Sequence, residues 1–259
     1  MCATCGCGAG EVRVSTDHAG GEPHEHHHQD GHHHDNHHDE PLRTHTLELE
    51  VAVLAKNDEL AQANRRRLAE HRIIALNLMS SPGAGKTTLL ERTIAGLGRP
   101  VSVIEGDQET LFDAERIRRA GARAVQVNTG AGCHLDAAMV ARALDELRPA
   151  DDSILVVENV GNLVCPALFD LGEQRKVVVI SVTEGDDKPL KYPHMFAAAD
   201  LVVLNKTDLL PYVDFDTERL TRDARRVNPH VRVLPVSART GENLEAWFDW
   251  VRTIDKAWA

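Results

Sequence analysis

The chain has 259 residues and carries 29 basic against 40 acidic side chains, which gives a formal net charge of −11 at pH 7. Its basic runs are short, so the sequence lacks the positively charged surface that nucleic-acid-binding proteins use. No apolar run is long enough to span a bilayer, and the first residues do not form a charged-then-apolar leader. We therefore expect a cytoplasmic protein that binds neither nucleic acid nor membrane.

Residues 1–44 are predicted to be a disordered tail, because they contain few large apolar side chains and are rich in Gly, His, Asp and Glu. Three of the five cysteines of the chain lie in this tail, at Cys2, Cys5 and Cys7. The odd total and this clustering argue against structural disulfides. Three closely spaced thiolates can direct their sulfurs at one Ni²⁺, Zn²⁺ or Cu⁺ ion or at an iron–sulfur unit, and idle terminal thiols are the alternative.

A histidine tract follows in the same tail. Nine histidines occupy the fifteen positions from residue 24 to residue 38, and acidic residues are interleaved with them. Neutral imidazoles bind Ni²⁺, Cu²⁺ and Zn²⁺, and without a fixed geometry the tract is predicted to hold several ions weakly, as a metal reservoir. An expression tag is the alternative, against which the mixed spacing argues. The histidines are His24, His26, His27, His28, His32, His33, His34, His37 and His38.

Residues 45–72 are predicted to form a helix, because no Gly or Pro interrupts them and part of the apolar pattern has helical spacing. We interpret the basic run at residues 65–67 as the solvated face of this helix, with a docking surface for a partner as the second interpretation. The spacing is carried by Leu49, Val53, Leu60, Asn64 and Leu68.

The stretch from residue 73 to residue 88 has the pattern of a phosphate-binding loop: an apolar strand, a glycine-rich turn and the start of a helix. Gly83 and Gly85 would let the backbone approach an oligophosphate, and Lys86 would reach its β- and γ-phosphates. The Thr87 hydroxyl would bind Mg²⁺. Ser80 replaces the usual first glycine, and the remaining predicted members of the loop are Ala84 and Thr88.

From residue 73 to residue 259, short apolar runs alternate with segments of helical period. The near-continuous Val, Ile and Leu content of the runs predicts strands that are buried on both faces. The expected fold is therefore α/β, a P-loop NTPase domain with a mostly parallel sheet and helices on both faces. Ligand sites in such sheets gather beyond the carboxyl ends of the strands. The later runs are residues 101–107, 124–128, 153–159, 176–182, 201–206 and 231–237.

Two motifs beyond the later strands predict a guanine nucleotide, GTP or GDP. A carboxylate at Asp208 can accept from both N1–H and the exocyclic amine of guanine, a donor pair that adenine lacks. Asn205 would hold the base edge and the loop, and the stem of Lys206 would cover the ring. A second loop would contact guanine O6 through a backbone N–H; it consists of Ser237, Ala238 and Arg239.

Two acidic segments end strands between these motifs. Glu158 and Gly161 occupy the place of the Asp-x-x-Gly motif of GTPases, in which the acid holds Mg²⁺ and the glycine senses the γ-phosphate. Asp107 is predicted to support Mg²⁺ or to position water, so the candidate magnesium and catalytic groups are Lys86, Thr87, Asp107 and Glu158. Asn162 stands where some GTPases have a water-orienting Gln. No arginine finger is evident, so hydrolysis is expected to be slow.

The other two cysteines also follow strands. Cys133 and His134 come after the run that ends at residue 128, and Cys165 lies four residues beyond Gly161. The three side chains could share a metal ion, with water or a second subunit completing four ligands. Movement of Gly161 with the γ-phosphate would then move Cys165, so metal affinity would depend on the nucleotide. Inert buried cysteines are the alternative.

Together these motifs resemble the HypB family of hydrogenase nickel-incorporation GTPases, and the resemblance covers essentially the whole chain. Besides the motifs above, it rests on the segments at residues 132–136, 158–166 and 183–193. The resemblance implies a P-loop GTPase that dimerises with GTP and inserts nickel into the large subunit of [NiFe]-hydrogenase with the zinc-binding partner HypA. It also implies a tight nickel site at Cys2, Cys5 and Cys7 and a weaker nickel or zinc site at Cys133, His134 and Cys165.

Two other functions stay open at this stage. The chain could be a nickel storage protein whose nucleotide site is vestigial. It could also be a maturation GTPase for a different nickel enzyme, such as urease. The GTP-dependent delivery of nickel to hydrogenase is the first expectation because the set of cysteines, rather than the nucleotide motifs alone, matches the HypB family.

Overall fold

The computed structural model describes residues 41–107, 112–130 and 132–254. The terminal cysteines and the histidine tract lie outside these residues, as does the side chain of Asp107. None of the described helices is long and apolar enough to cross a membrane.

The described residues form one sheet of seven parallel strands in the order β3-β2-β4-β1-β5-β6-β7. The predicted α/β fold with a parallel sheet is therefore confirmed. The central strands are buried on both faces, which explains their continuous apolar sequence. The strands are β1 (Ile74–Ser80), β2 (Val101–Asp107), β3 (Arg123–Asn128), β4 (Ile154–Gly161), β5 (Arg175–Ser181), β6 (Leu201–Asn205) and β7 (Arg232–Pro235).

Alternate side chains of each strand point to opposite faces of the sheet, so both faces carry apolar residues. Helices therefore cover both faces. Ile74 and Leu76 of β1 belong to the core on one face, and Ala75 between them belongs to the core on the other. The helices are α1 (Pro41–Glu70), α2 (Lys86–Gly96), α3 (Phe112–Arg119), α4 (Ala137–Leu147), α5 (Lys188–Lys191), α6 (Pro193–Ala197), α7 (Thr217–Val227) and α8 (Leu244–Ile254), with short 3-10 helices at Cys165–Ala167 and Thr207–Tyr212.

Helix α1 differs from its prediction in its bounds and in its buried face. It begins at Pro41 and ends at Glu70, so residues 41–44 belong to the helix and not to the tail. Val53, which was assigned to the apolar stripe, is 53% exposed. The stripe between residues 53 and 70 that packs on the domain has helical spacing but includes two buried amides; it consists of Leu54, Asn57, Ala61, Asn64 and Leu68.

The basic run of α1 lies at the surface, and two of its three arginines form ion pairs. Arg65 donates to both carboxylate oxygens of Asp170 at 2.8 Å, and Arg67 lies 2.7 Å from Asp145. The side chains of Arg65 and Arg67 stay 41% and 40% exposed. The run is therefore at the surface as expected, but acidic residues distant in the sequence pair with two of its members.

The two buried asparagines of α1 hold the start of α4. The Asn57 Oδ1 atom accepts from the Ala137 N–H at 2.9 Å, and the Asn64 Nδ2 atom donates to the Ala137 carbonyl at 2.9 Å. Gly172 permits the helix to approach, since a β-carbon there would lie 2.7 Å from the Ala61 carbonyl oxygen. Both backbone groups of Ala137, three residues after His134, are thus fixed by α1.

Candidate nucleotide and metal site

A cavity of about 460 Å³ opens at the carboxyl edge of the central strands, the place expected for a ligand in a parallel α/β sheet. It is bounded by the glycine-rich turn after β1, by the first turn of α2 and by the ends of β2 and β4. Two side chains of α3, Asp113 and Arg116, also line it.

The glycine-rich turn adopts a backbone that requires glycine. Gly83 has φ 77° and Gly85 has φ 96°, both in the left-handed region that residues with a β-carbon rarely adopt. Helix α2 begins directly after Gly85, so its first N–H groups face the cavity where an anion would be stabilised by the helix dipole. The turn therefore has the shape of a phosphate cradle.

Lys86, the first residue of α2, is buried at the base of this cavity. Its Nζ atom donates to the Ser80 hydroxyl at 2.8 Å, and that hydroxyl donates to the Ser81 carbonyl oxygen at 2.6 Å. The residue that replaces the usual first glycine thus positions the lysine. Burial lowers the pKa of Lys86, against the opposing charge of Glu158.

Thr87 and Glu158 meet across the cavity. The Thr87 hydroxyl donates to Glu158 Oε1 at 2.8 Å, and the buried Oε2 atom of the same carboxylate has no hydrogen-bond partner among the described residues. Burial raises the pKa of Glu158, while the charge of Lys86 opposes the rise. A hydroxyl and a buried carboxylate oxygen without a partner are suitable ligands for a hard cation such as Mg²⁺.

The guanine-motif residues are brought against the phosphate loop. The Asn205 side chain donates to the Ala84 carbonyl at 2.9 Å and accepts from the Ala238 N–H at 3.1 Å. Lys206, at φ 63°, donates from Nζ to the Gly83 carbonyl at 2.7 Å. These contacts join three segments that are far apart in the sequence into one wall of the site.

Asp208 is held by the third of these segments. Its carboxylate accepts from the Ser237 hydroxyl at 2.6 Å and from Arg239 Nε at 3.1 Å. The hydrogen bond from Ser237, with a smaller contribution from Arg239, lowers the pKa of Asp208. The side chain therefore presents a carboxylate that is charged at neutral pH, as recognition of two donors on a base edge requires.

Arg116 is a cavity residue that the sequence analysis missed. It donates to Glu91 at 2.8 Å and to Asp113 at 3.2 Å, and its nearest contact to the phosphate loop is Thr88 Oγ1 at 3.4 Å. The hydrogen bond with Glu91 raises its pKa. Several arginines follow one another in α3, so the sequence contains no signal that singles this one out.

Cys133, His134 and Cys165 lie together beside the cavity and are called the thiol–imidazole cluster below. Their potential ligand atoms are all within 4.8 Å of one another, and neither cysteine forms a disulfide. Cys133 Sγ lies 3.6 Å from His134 Nδ1, and the imidazole stacks on Phe169 with 3.9 Å between ring centroids. Burial lowers the pKa of His134, so the ring is neutral and can coordinate a metal.

The cluster and the cavity share neighbours. A β-carbon on Gly161 would stand 3.1 Å from the backbone of Pro82 in the phosphate loop, so the end of β4 lies directly on that loop. Asn162, which stands where some GTPases have a water-orienting Gln, donates from Nδ2 to the Cys133 carbonyl at 3.3 Å. Gly106 leaves room for Leu135, whose side chain would lie 2.8 Å from a β-carbon at that position.

A sequence model described as the CobW/HypB/UreG nucleotide-binding domain matches residues 74–235. The hydrogenase maturation factor HypB of Azotobacter vinelandii is 50% identical over 287 aligned positions, which cover 97% of this chain and 91% of that protein. The hydrogenase maturation factor HypB of Escherichia coli K12 is 58% identical over 209 positions, which cover 80% of this chain and 72% of that protein.

Two solved structures have the same fold. HypB from Archaeoglobus fulgidus superposes with a TM-score of 0.73 at 43% identity and covers 78% of this chain and 100% of its own. HypB from Helicobacter pylori, solved in complex with nickel, superposes with a TM-score of 0.75 at 38% identity and covers 78% of this chain and 96% of its own.

Proposed function

Because this chain belongs to the CobW/HypB/UreG family, and within it to the HypB hydrogenase maturation factors, we propose that it is a GTP-hydrolysing nickel metallochaperone. It stores nickel and delivers it to the large subunit of [NiFe]-hydrogenase. The observation that carries the proposal is the course of residues 158–165, which line the nucleotide cavity at their beginning and supply Cys165 to the thiol–imidazole cluster at their end.

In the nucleotide site, Lys86 binds the β- and γ-phosphates, and the backbone from Gly83 to Thr88 surrounds them. Thr87 and Glu158 would hold Mg²⁺, which would neutralise the charge that develops on the phosphates, and Asp107 would support the ion or position water. Asp208 selects guanine. Arg116, the arginine that lines the described cavity, is engaged by Glu91 and Asp113, and intrinsic hydrolysis is expected to be slow.

In the cluster, two thiolates and one imidazole bind nickel as cargo, in competition with zinc. This donor set is soft and nitrogen-containing, which suits Ni²⁺ and Zn²⁺ better than Mg²⁺. The H. pylori relative in complex with nickel supports nickel as the cargo. In the tail, Cys2, Cys5 and Cys7 form a second nickel site, and the histidines between residues 24 and 38 add storage capacity.

The proposed partners follow from membership of the family. GTP drives homodimerisation, a zinc-binding chaperone of the HypA type acts with this protein, and the cytoplasmic hydrogenase large subunit receives the nickel. Val164 and Leu168 flank Cys165 and are 39% and 42% exposed, so an apolar surface lies at the cluster, where a second protein would complete the coordination.

The deciding experiment assays hydrogenase and urease in a strain that lacks the gene, with and without added nickel. The strain is complemented with the wild type, with Lys86→Ala or with the double variant Cys133→Ser and Cys165→Ser. We expect both variants to lose hydrogenase maturation at low nickel, and the Lys86→Ala protein to lose GTP hydrolysis while it still binds nickel in the tail.

Two outcomes would contradict this function. Normal hydrogenase maturation with Lys86→Ala would favour the storage protein, because delivery would then not need the nucleotide. Loss of urease with normal hydrogenase would favour a maturation GTPase for a different nickel enzyme.

A further inference from the structure

The Asn159 side chain is hydrogen-bonded to two backbone groups, one beside the nucleotide cavity and one beside the thiol–imidazole cluster. Its Oδ1 atom accepts from the N–H of Val160, the next residue of β4, at 3.0 Å and from the N–H of Leu135 at 3.2 Å. Val160 lines the nucleotide cavity, and Leu135 directly follows His134 of the cluster. One buried oxygen thus holds a residue of each site at once.

The amide nitrogen of Asn159 is held by a chain of hydrogen bonds that runs through one buried amide to one buried acid. Asn159 Nδ2 donates to Asn77 Oδ1 at 3.2 Å, and Asn77 Nδ2 donates to Glu173 Oε1 at 3.2 Å. Asn159 and Asn77 are 1% and 0% exposed. Because a buried carboxamide loses free energy when its hydrogen bonds break, its orientation is tightly specified.

Each backbone partner is in turn packed against the nucleotide site. Val160 precedes Gly161, which lies on Pro82 of the phosphate loop, and Leu135 packs on Gly106 of the cavity wall. A displacement at Gly161 therefore reaches Val160 through one peptide unit. Asn159 passes it to the residue that follows His134, since the oxygen cannot keep both hydrogen bonds unless the two N–H groups move together.

We propose that Asn159 is the positioning residue that couples the state of the nucleotide to metal affinity at the thiol–imidazole cluster. This inference rests on the proposed function, because it requires both a guanine nucleotide and a metal at these sites. Asn162 also donates a side-chain hydrogen bond from residues 158–165 to residues 132–136, at 3.3 Å, but Asn162 is half-buried whereas Asn159 is 1% exposed. The buried residue with two partners is the stronger connection.

The test measures Ni²⁺ affinity in the GDP-bound state and in the state bound to a non-hydrolysable GTP analogue. The full-length chain carries Cys2→Ser, Cys5→Ser and Cys7→Ser, so the remaining thiols are Cys133 and Cys165. The thiolate-to-nickel charge-transfer absorption then reports the cluster and not the histidine tract. In this background we expect the two affinities to differ by about fivefold or more.

Three variants separate coupling from structure. Asn159→Ala removes both acceptor contacts, and we expect the ratio of the two affinities to fall to within about twofold of one. Asn159→Asp keeps the acceptor oxygen for Leu135 and Val160 but loses the donor to Asn77, so it is expected to lower stability and to retain the ratio. Asn77→Ala, the matched control in the same buried network, is expected to lower stability but to retain the ratio, because Leu135 and Val160 keep their partner.

Protection of the Leu135 amide from hydrogen exchange is a second measurement, made on the parent chain without any change at Asn159. It is expected to differ between the GDP and GTP-analogue states. The inference is overturned if Asn159→Ala keeps the ratio or if the Leu135 amide exchanges equally in both states. A parent chain with equal affinities would instead remove the nucleotide gating of the proposed function itself.

Discussion

Gly85 and Asn205 lie so close together that a β-carbon on the glycine would stand 2.5 Å from the Asn205 amide nitrogen. The contact joins the phosphate loop to the loop proposed to recognise guanine, and Asn205 uses that same amide to hold the Ala84 carbonyl. The two loops of the nucleotide site therefore pack directly on each other at Gly85, where a side chain would collide with Asn205.

We expect Gly85→Ala to abolish tight guanine-nucleotide binding, with a loss of about 100-fold or more, because Asn205 must move and the left-handed backbone is strained. Gly98→Ala is the matched control: Gly98 also has positive φ, at 72°, but apart from its chain neighbours no atom of the described residues lies within 4 Å of its added carbon. The control should lose only about 1–2 kcal/mol of stability and keep nucleotide affinity. Fluorescent GDP titration and urea unfolding measure the two effects, and equal nucleotide affinity in both variants would contradict the prediction.

Asp208→Asn should change the base that is preferred. Its amide can accept from N1–H of xanthine and donate to the C2 oxygen, whereas the exocyclic amine of guanine loses a charged acceptor. We expect GTP affinity to fall by roughly 10- to 100-fold and XTP affinity to rise relative to it, measured by competition against labelled GDP.

Arg239→Ala is the control for this change, because the arginine side chain is 80% exposed and its ion pair with Asp208 contributes little. GTP affinity in that variant should stay within about fivefold of the wild type. A similar loss in both variants would mean that the ion pair, and not the base contact, is being measured.

The packing of α2 against α8 includes one buried hydrogen bond, from Trp247 Nε1 to Thr93 Oγ1 at 2.8 Å. Thr93→Val keeps the shape but leaves the indole N–H without an acceptor, so we expect a loss of about 1–3 kcal/mol in the free energy of unfolding. Thr253→Val removes an exposed hydroxyl from α8 and should change that free energy by less than about 0.5 kcal/mol. Urea unfolding followed by tryptophan fluorescence decides, and equal losses in the two variants would refute the role of the buried bond.

Glu173 should make stability fall as pH rises. Burial raises the pKa of the Glu173 carboxyl in the folded protein; the charge of Lys176 opposes this rise, and the charge of Asp170 adds to it. Between the unfolded and the folded pKa, the folded state therefore retains a proton that the unfolded state has released. The contribution is present in full below the unfolded pKa of about 4.5 and is lost as pH rises through the folded pKa, with a slope of at most about 1.4 kcal/mol per pH unit.

Glu173→Gln removes this titration. The difference in unfolding free energy between the wild type and the variant should therefore decrease as pH rises above about 4.5, whatever its starting value. Urea unfolding at intervals of one pH unit measures the difference. If the difference in unfolding free energy did not change with pH, the Glu173 carboxyl would have the same pKa in the folded and unfolded states, and the prediction would be wrong.

The parallel sheet and the nucleotide motifs can be predicted from sequence because their signals are local. Gly85, Lys86 and Thr87 follow one another after a buried strand, and Asp208 follows another such strand, so the rule that places ligands at the carboxyl ends brings them together. The grouping of the two cysteines with His134 follows from the same rule.

The contacts of the buried polar residues could not be predicted, because their partners are distant in the sequence and become neighbours only in the fold. Asn64 stands on the predicted stripe of α1, but Asn57 is also buried and was not predicted there, because the helical pattern is read mainly from apolar residues. Arg116 becomes a cavity residue only through the orientation of α3. Asn159 stands between two motif residues, and only the fold shows that its side-chain oxygen accepts from the Leu135 N–H.

The short separation between Glu158 and Cys165 makes the length of that segment a fixed dimension of the molecule. A single inserted or deleted residue between them would rotate the thiol away from its two neighbours or lift the glycine from the phosphate loop. Related sequences can therefore have longer surface turns, such as the one at residues 229–230. They should keep the same number of residues between positions 158 and 165, even where the side chains differ.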